Sequence, residues 1–417
     1  MLTDDDRAKL AGERGEATRL AMSIVARLAE ISGAEELTDV SSAHVGSCLH
    51  HGAAGLDFAQ RLIAGGARVA VPTTLNVGAL DLLHPDLYRG DAATAAEARR
   101  QMDLYVEMGC RPTWTCAPYQ SGPRPGFGEH VAWGESNAIV FANSVLGART
   151  ERYGDFIDIC AAITGRVPLA GLHATENRRA RIAFSVEGID DSLLREDSFY
   201  PLLGLVVGAR AGSLVPVVVG LPPDTSEDRL KALGAAAASS GSVGLFHAVG
   251  ITPEAGTLED ATQGRAPDQV INVTPEIVRD ARSSLTTKLG SELSAVSLGT
   301  PHFSVSEFEG LLALLEGRRA AVDFYVSTGR GVLAEIERRG WLPALDDAGV
   351  QVVVDTCTYV TPIIRRDVGV VMTNSAKWAY YAPGNIGVDV VFGSTLECVR
   401  SAMQGRVWTD ESLWSRL

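Results

Sequence analysis

Two cysteines lie six positions apart in a loop-like stretch of the sequence, MGCRPTWTCAPYQSGPRPGFGEH. Prolines, glycines and a tryptophan surround Cys110 and Cys116, so neither thiol has an evident packing role there. Deprotonated thiolates bind zinc and iron–sulfur clusters, and they also act as nucleophiles. The C-x5-C spacing does not match the short C-x2-C spacing of structural zinc sites or ferredoxin-type clusters. A metal site at this loop would therefore need thiolates from other segments of the chain.

Two further cysteines lie where the sequence predicts regular structure. Cys357 follows the apolar run VQVVV, at the predicted end of a buried strand, and Cys398 lies in the helical pattern GSTLECVRSAM. Cys398 is open to two interpretations, a metal ligand or a buried thiol. On composition alone, unpaired buried thiols throughout the chain are an equal alternative. A cysteine nucleophile with His302 as its base is a third hypothesis.

Short β-branched runs alternate with helical patterns along the chain. The runs are RVAV (68–71), VPVVV (215–219), AVSL (295–298), AAVDFYV (320–326), VQVVV (350–354) and VGVVM (368–372). Continuous apolar strands separated by helices indicate parallel sheets covered on both faces. We therefore predict an α/β protein with three-layer α/β/α lobes and mostly parallel sheets. One division places residues 1–194 and 350–417 in a first lobe that carries most of the site, and residues 195–349 in a middle domain.

Polar side chains follow four of these predicted strands, at the positions where open α/β sheets bind their ligands. They are Thr73, Thr74 and Asn76, then His302, then Cys357, and finally Asn374, Ser375 and Lys377. Hydroxyl and amide groups offer hydrogen bonds, and a lysine offers positive charge to a carboxylate or phosphate. Residues that serve only as turn formers are the alternative interpretation. The pattern favours a small acidic substrate.

Two other stretches combine polar side chains with helix-like spacing. The sequence WGESNAIVFANSVLGARTERYGDF (133–156) mixes Asn137 and Arg149 into an otherwise apolar helical pattern. Polar groups on an inward helix face are costly unless they bind one another or a ligand, whereas exposure would remove that argument. SSAHVGSCLHHG places His44 and Cys48 four positions apart, which puts them on one face if the segment is helical.

Composition argues against several classes of function. The 417 residues carry a formal net charge of −14 without runs of Lys or Arg, which argues against a nucleic-acid partner. Arg210 and Pro216 interrupt the most apolar stretch, 199–221, which predicts a helix followed by a buried strand rather than a membrane span. No glycine-rich phosphate-binding motif follows a predicted strand. Six scattered cysteines and an acidic N-terminus predict a reducing, cytoplasmic compartment.

Eight of these stretches together resemble aconitase X, the divergent branch of the aconitase superfamily. They are SAHVGSCLHHG, VPTTLNVG, TWTCAPY, WGESNAIVFANSVLGARTERYGDF, GLHATENR, GTPHFS, DTC and TNSAKWAYYAP. The resemblance implies an aconitase-like fold and an iron–sulfur dehydratase, in which the cluster acts as a Lewis acid toward a substrate hydroxyl. It further implies that Cys116 and Cys357 bind the cluster, with Cys398 and Cys48 as the alternatives for a third thiolate.

Two departures from the family pattern refine this expectation. Some members of the archaeal branch carry a cysteine where this chain has Thr300. The threonine favours the bacterial type, whose members resemble cis-3-hydroxy-L-proline dehydratases that form Δ1-pyrroline-2-carboxylate, over mevalonate 5-phosphate dehydratases. Single-chain members also continue into a small swivelling domain, whereas this sequence ends at Leu417. The resemblance to two-subunit members therefore predicts a separate small subunit, which would contribute a serine to catalysis.

The resulting hypothesis gives the candidate residues specific roles. Lys377 and Ser375 bind the substrate carboxylate, Thr74 and Asn76 orient the ring, and His44 and Asn137 lie near the cluster. Thr73, Arg149, Asn374 and His302 complete the predicted substrate-binding set. Arg149 and Arg178 keep a phosphorylated substrate open as an alternative. A clusterless binding or scaffold subunit is the alternative from another class of function.

Overall fold

The computed structural model describes residues 2–122, 124–290, 292–365 and 369–415. These residues form seventeen α-helices and fourteen β-strands in four sheets. Among the described strands, β1 and β5 pair in antiparallel fashion, and every other ladder is parallel. The predicted α/β class with mostly parallel sheets is therefore confirmed.

The first segment of the chain builds two small sheets and six helices. Its helices are α1 (Asp4–Leu10), α2 (Glu16–Ser32), α3 (Ala53–Ala64), α4 (Ala92–Glu107), α5 (Ser136–Ser144) and α6 (Ile157–Thr164). Its strands are β1 (Leu37–Asp39), β2 (Ala43–Val45), β3 (Thr73–Leu75), β4 (Ala132–Trp133) and β5 (Arg166–Pro168). The parallel sheet has the order β3-β2-β4, and β1 pairs with β5. Short 3-10 turns lie at Pro85–Leu87, Pro118–Gln120, Gly171–His173 and Thr175–Arg178.

The second segment forms a four-stranded parallel sheet with the order β8-β7-β6-β9. Its strands are β6 (Ile182–Ser185), β7 (Pro216–Val219), β8 (His247–Ala248) and β9 (Gln269–Asn272). Its helices are α7 (Asp191–Leu194), α8 (Phe199–Ala211), α9 (Glu227–Ser240), α10 (Leu258–Ala261) and α11 (Pro275–Ser284). The apolar stretch 199–221 is thus a helix followed by a strand, as predicted. None of the helices in the described ranges is long and apolar enough to cross a membrane.

The third segment forms a five-stranded parallel sheet with the order β12-β11-β10-β13-β14. Its strands are β10 (Ala295–Phe303), β11 (Asp323–Thr328), β12 (Val350–Val353), β13 (Val370–Thr373) and β14 (Asp389–Phe392). Its helices are α12 (Val305–Leu315), α13 (Arg330–Arg338), α14 (Leu342–Asp347), α15 (Ala376–Ile386), α16 (Thr395–Gln404) and α17 (Glu411–Trp414). Strands β11 and β12 are neighbours in this sheet. The predicted boundary at residue 350 therefore falls inside the sheet.

Neighbouring strand residues enter different cores on the two faces of the five-stranded sheet. Val371 packs in a core that contains Trp378 of α15, whereas Met372 packs in a core that contains Phe308 of α12 and Val399 of α16. Because successive strand side chains point to opposite faces, helices must cover both faces of this sheet. The core on the α15 side also includes residues of α8 and α9, so it joins the second and third segments.

Two of the predicted strands differ from the structure. The RVAV run is not a strand, because the N–H groups of Val69 and Ala70 bind the carbonyls of Met108 and Ala162 instead of a ladder partner. The strand is the next segment, Thr73–Leu75. The predicted strand AVSL continues through the predicted loop GTPHF as β10, Ala295–Phe303. Residue 368, where the VGVVM run begins, lies outside the described residues.

Candidate active site

Three side chains from three separate stretches of the chain meet at the centre of the molecule. They are Cys116 from the loop after α4, His302 from β10 and Cys357 from the loop after β12. One ligand atom from each lies within 4.8 Å of the others, and all three residues are buried. The backbone N–H of His302 donates to Cys116 Sγ at 3.3 Å, and the ring Nε2 of His302 lies 3.6 Å from Cys357 Sγ. Two thiols and an imidazole at these separations could hold a metal ion.

Each cysteine loop contains a buried residue with a positive φ two positions before the thiol. Trp114 has φ 44° and Asp355 has φ 63°. Bulky residues adopt this region rarely, and they remain there only where the surroundings hold them. Arg330 donates two hydrogen bonds to the Asp355 carboxylate, at 2.6 and 2.7 Å, and the Leu82 N–H donates a third at 3.2 Å. These contacts fix the loop that presents Cys357.

The two thiols perturb each other's ionisation. Burial opposes ionisation of Cys116, but the hydrogen bond from Cys357, the positive charge of Lys377 and the His302 N–H lower the pKa of Cys116 below its usual value. Because Cys357 donates to Cys116 and is itself buried, the pKa of Cys357 is raised well above its usual value. Within the pair, Cys116 therefore loses its proton more readily than Cys357.

His302 is neutral at ordinary pH because burial lowers its pKa to about 4. Its Nε2 lies 3.1 Å from the Thr356 carbonyl and its Nδ1 lies 3.0 Å from the Thr115 hydroxyl. A carbonyl only accepts, so this network assigns the proton to Nε2 and makes Nδ1 the acceptor. With both ring nitrogens engaged, His302 is a hydrogen-bonding neighbour that orients the two thiols.

A buried ion pair lies beside the thiols. Lys377 Nζ, at the first turn of α15, binds Glu135 Oε1 at 2.6 Å, and it also contacts Ser136 Oγ at 3.2 Å. Burial raises the pKa of Glu135, but the Lys377 charge outweighs it and the pKa falls below the ordinary value. Burial lowers the pKa of Lys377, and Glu135 reverses this so that the pKa is raised. Both side chains are therefore charged.

Sequence reasoning missed Glu135 as a site residue, although it lies in the polar stretch 133–156 that was singled out. Its side chain caps α5 by accepting the Ala138 N–H at 2.6 Å, so it also holds the N-terminus of that helix. Asn137 in the same helix donates to the Cys116 carbonyl at 3.0 Å and to the Tyr119 hydroxyl at 2.9 Å. Residues 137–144 of α5 are buried and Ser136 is partly exposed, which supports the interpretation that this part of the stretch faces inward.

Several buried polar atoms near the thiols have no hydrogen-bond partner among the described residues. They are His44 Nε2, Asn76 Oδ1, Asn137 Oδ1 and Thr300 Oγ1. His44 lies in β2, so the segment is a strand rather than the helix considered above, and its Nδ1 contacts the Thr74 hydroxyl at 2.8 Å. Burial lowers the pKa of His44 to about 4, so its ring is neutral. Unpaired buried polar atoms are uncommon in folded proteins and indicate a place where a bound group completes the hydrogen bonds.

Two adjoining cavities lead toward the ion pair. The larger, of about 480 Å³, lies between the second and third segments and includes Asp228, Phe303, Glu307 and Asn374 in its wall. The smaller, of about 40 Å³, shares Phe303, Glu307 and Asn374 with it and reaches Lys377. The smaller cavity therefore lies between the larger one and the lysine.

Comparison with known proteins identifies the family. Family models described as the first, second and third domains of aconitase X match residues 1–176, 180–283 and 293–404. The chain belongs to the aconitase X family. Each model covers one group of sheets, so the domains of aconitase X coincide here with the three segments of the fold. The resemblance stated from the sequence motifs is confirmed.

Relatives of this aconitase X chain include two kinds of named dehydratase. It is 45% identical to the cis-3-hydroxy-L-proline dehydratase of Pseudomonas aeruginosa, over 96% of this chain and 70% of the relative. It is 38% identical to the phosphomevalonate dehydratase large subunit of Methanothermobacter thermautotrophicus, over 93% of this chain and 95% of the relative. The crystal structure of Thermococcus kodakaraensis aconitase X in its holo-form is 32% identical and has a TM-score of 0.87, over 96% of this chain and 100% of that one.

The other cysteines considered as ligands lie apart from the pair in this aconitase X. Cys398 is buried in α16, where its nearest polar contact is the Gly393 carbonyl at 4.0 Å. Cys48 points its thiol at the carbonyls of Val45 and Asn76, at 3.3 and 3.4 Å. Neither joins the group of Cys116 and Cys357 among the residues that the structure describes. The sequence around Cys398 and Cys48 contains no feature that distinguishes these two cysteines from Cys116 and Cys357.

Several predicted substrate-binding residues have local partners. Thr73 donates to the Val71 carbonyl at 2.8 Å, and Asn374 donates to the Thr395 hydroxyl at 3.0 Å. Ser375 caps α15 by accepting the Trp378 N–H at 3.0 Å, and its hydroxyl donates to the Thr300 carbonyl. These contacts shape the loops around the site.

The two arginines considered for phosphate binding lie in a different cluster. Arg149 donates to the His173 carbonyl at 2.9 Å. Arg178 is buried and pairs with Glu254 at 2.7 Å, and it also donates to the Asn143 carbonyl at 3.0 Å. Neither arginine contacts the thiols or Lys377 among the described residues. Arg149 therefore lies away from the site, contrary to the prediction that it binds the substrate.

Proposed function

We propose that this chain is the large subunit of an iron–sulfur hydro-lyase that converts cis-3-hydroxy-L-proline to Δ1-pyrroline-2-carboxylate. The observation that carries the proposal is the convergence of Cys116 and Cys357 beside the charged Lys377. A thiolate pair supplies soft ligands for iron, and a lysine supplies the charge that a substrate carboxylate needs. The identity of 45% to a protein named cis-3-hydroxy-L-proline dehydratase supports the choice of substrate.

The residues at the site fit an iron–sulfur cluster. The pKa of Cys116 is lowered, and Cys357, whose pKa is raised, would lose its proton on binding the cluster. The unpartnered amide oxygen of Asn137 lies on a side chain that contacts the Cys116 carbonyl, and the unpartnered hydroxyl of Thr300 belongs to a residue that lines the small cavity with Lys377, so a bound group and its substrate would complete their hydrogen bonds. When bound, such a cluster supplies a Lewis acid for a substrate hydroxyl.

The chain's own residues would position and orient the substrate. Lys377 Nζ would bind the carboxylate, and the neutral imidazole of His44 and the amide of Asn137 would face the ring and its hydroxyl. Elimination of water removes the proton from C2 and the hydroxyl from C3, and the resulting enamine tautomerises to the imine. The proton acceptor is proposed to lie on a separate small subunit.

A two-subunit arrangement is supported by relatives that are themselves named large subunits. This chain aligns with 95% of the Methanothermobacter thermautotrophicus large subunit. Those relatives also keep phosphomevalonate dehydration as a second candidate function. The positions of Arg149 and Arg178 disfavour it, because both guanidinium groups are engaged elsewhere and a phosphate would need more positive charge than one paired lysine provides.

The substrate is tested by incubating the anaerobically assembled enzyme with each compound separately. We expect loss of cis-3-hydroxy-L-proline and formation of Δ1-pyrroline-2-carboxylate, with no reaction of mevalonate 5-phosphate. Lys377→Met should lower kcat/KM by at least about 30-fold, because it removes a buried charged partner of the carboxylate. Lys288→Met is the matched control, since Lys288 is half exposed and pairs with Asp389 at 3.5 Å. Turnover of mevalonate 5-phosphate alone would contradict the proposed substrate.

A further inference from the structure

The ion pair between Lys377 and Glu135 has a feature that carboxylate binding leaves unexplained. Both side chains are almost fully buried, with exposed fractions of 5% and 7%. Removing two charges from water costs free energy that one contact seldom repays, so a buried pair beside a site often has a further role. A substrate carboxylate would share the lysine of this pair, and Glu135 would then keep its hydrogen bond from the Ala138 N–H but gain no second positive charge.

The second buried lysine of the chain provides a comparison. Lys231 Nζ binds Asp228 Oδ1 at 2.8 Å, contacts the Glu307 carboxylate and donates to the His302 carbonyl at 3.3 Å. Its three N–H donors are therefore all used by the protein. Two carboxylates surround Lys231, so it has no capacity left for an anionic ligand.

Lys377 is bound less completely than Lys231, whereas Glu135 also accepts the Ala138 N–H. Two of the three Lys377 donors go to Glu135 and to the Ser136 hydroxyl, which leaves one for a ligand. Ser136 Oγ also lies 3.2 Å from Glu135 Oε1, so this hydroxyl contacts both charged groups. A ligand could take the place of the Ser136 hydroxyl, because this hydroxyl is uncharged and can rotate away from either charged group.

The pair presents a positive and a negative charge 2.6 Å apart, with no net charge. An α-amino acid carries the opposite arrangement, an ammonium and a carboxylate on one carbon atom. Placed head to tail, the two dipoles form four alternating charges, and no charge is left without a partner. A phosphorylated hydroxy acid has anionic groups only and offers nothing to Glu135.

We propose that Glu135 is the specificity residue that binds the ring ammonium of a cyclic α-amino acid, while Lys377 binds its carboxylate. The identity of that amino acid rests on the proposed function. The site then selects a zwitterion, and it rejects acids that lack the nitrogen because Glu135 would remain buried beside an apolar group.

Two probes that differ at one ring atom test this inference. L-Proline has the ring nitrogen, and cyclopentanecarboxylate has a methylene in its place. Binding of each to the anaerobically assembled enzyme is measured by calorimetry, so the result does not depend on turnover. The parent enzyme should bind L-proline at least about tenfold more tightly, and Glu135→Gln should abolish that preference while changing cyclopentanecarboxylate by less than about threefold. Glu227→Gln is the matched control, because Glu227 is exposed and pairs with Arg124.

The outcomes separate this inference from the proposed function. Equal weakening of both probes by Glu135→Gln, or no preference in the parent enzyme, would overturn the inference. If Glu135→Gln does not fold, Glu135→Asp takes its place, and it must weaken L-proline more than cyclopentanecarboxylate. A parent enzyme that prefers L-proline through Glu135 but does not dehydrate cis-3-hydroxy-L-proline would support the inference and contradict the proposed function.

Discussion

Buried thiols have different interaction partners at the site of Cys116 and Cys357 and in the core around Cys398. Cys357 is 2% exposed and Cys398 is 0% exposed, so burial does not distinguish them. At the site, two thiols from distant segments interact with each other, with His302 and with a charged lysine. In the core, Cys398 packs among aliphatic side chains such as Val296. The partner of the thiol, and not its exposure, separates the two regions.

Ionisation separates Cys116 from Cys398, whereas the pKa of Cys357 at the site is raised like that of Cys398. Burial alone would raise the pKa of every one of these thiols, and for Cys398 it does, with Glu397 adding to the effect. Cys116 has the opposite shift because a second thiol, a lysine and an N–H stabilise its thiolate. A metal ligand must be deprotonated, and Cys116 therefore needs less free energy to become a ligand than Cys398 does.

Substitution of His302 is expected to have the largest effect on iron binding at the site. Its ring lies 3.6 Å from Cys357 Sγ and 3.0 Å from the Thr115 hydroxyl in the Cys116 loop, and groups behind metal ligands typically contribute about 10–100-fold in metal affinity. His302→Asn should therefore lower iron retention against a chelator by about that factor. The measurement is iron bound per chain at increasing chelator concentration.

A matched variant controls for the loss of a buried histidine. His173 is also buried, but its ring contacts His130 and Tyr153, at 2.9 and 2.5 Å. His173→Asn should keep its iron even if its thermal stability falls. Equal iron loss in both variants would show that general destabilisation, and not the contacts to the thiols, explains the result.

A smaller effect is expected on the other side of the comparison. Cys398→Ser places a hydroxyl among aliphatic side chains, which should lower the free energy of unfolding by about 1–3 kcal/mol. Cys398→Ala should cost less, because it adds no polar group. Urea unfolding measures both. Iron content should equal that of the parent, and loss of iron from Cys398→Ser would break the distinction between the two regions.

The fold was largely predictable because its signals are local. The interrupted apolar stretch 199–221 predicts a helix followed by a strand, and the structure has α8 and β7 there. The β-branched runs correspond to strands in the second and third segments. The RVAV run failed because its backbone binds the ends of α4 and α6, which no local pattern reveals.

The site was only partly predictable because its contacts are long-range. The strand-end position favours Cys357, but the choice of Cys116 and Cys357 as ligands comes from the resemblance to aconitase X, and the structure brings the two thiols together. The pairing of Lys377 with Glu135 joins residues 242 positions apart, so neighbouring sequence gave no sign of it. A helical pattern also does not show which core a cysteine enters, which is why Cys398 remained a candidate ligand.

Iron and acid-labile sulfide analysis of the anaerobically assembled protein tests the central claim most directly. The parent and Cys398→Ser should contain iron and sulfide, whereas Cys116→Ser and Cys357→Ser should lose both together with activity, because each removes one of the converging thiolates. A colourless parent without iron or sulfide, even after reconstitution, would contradict the account and favour a clusterless binding subunit.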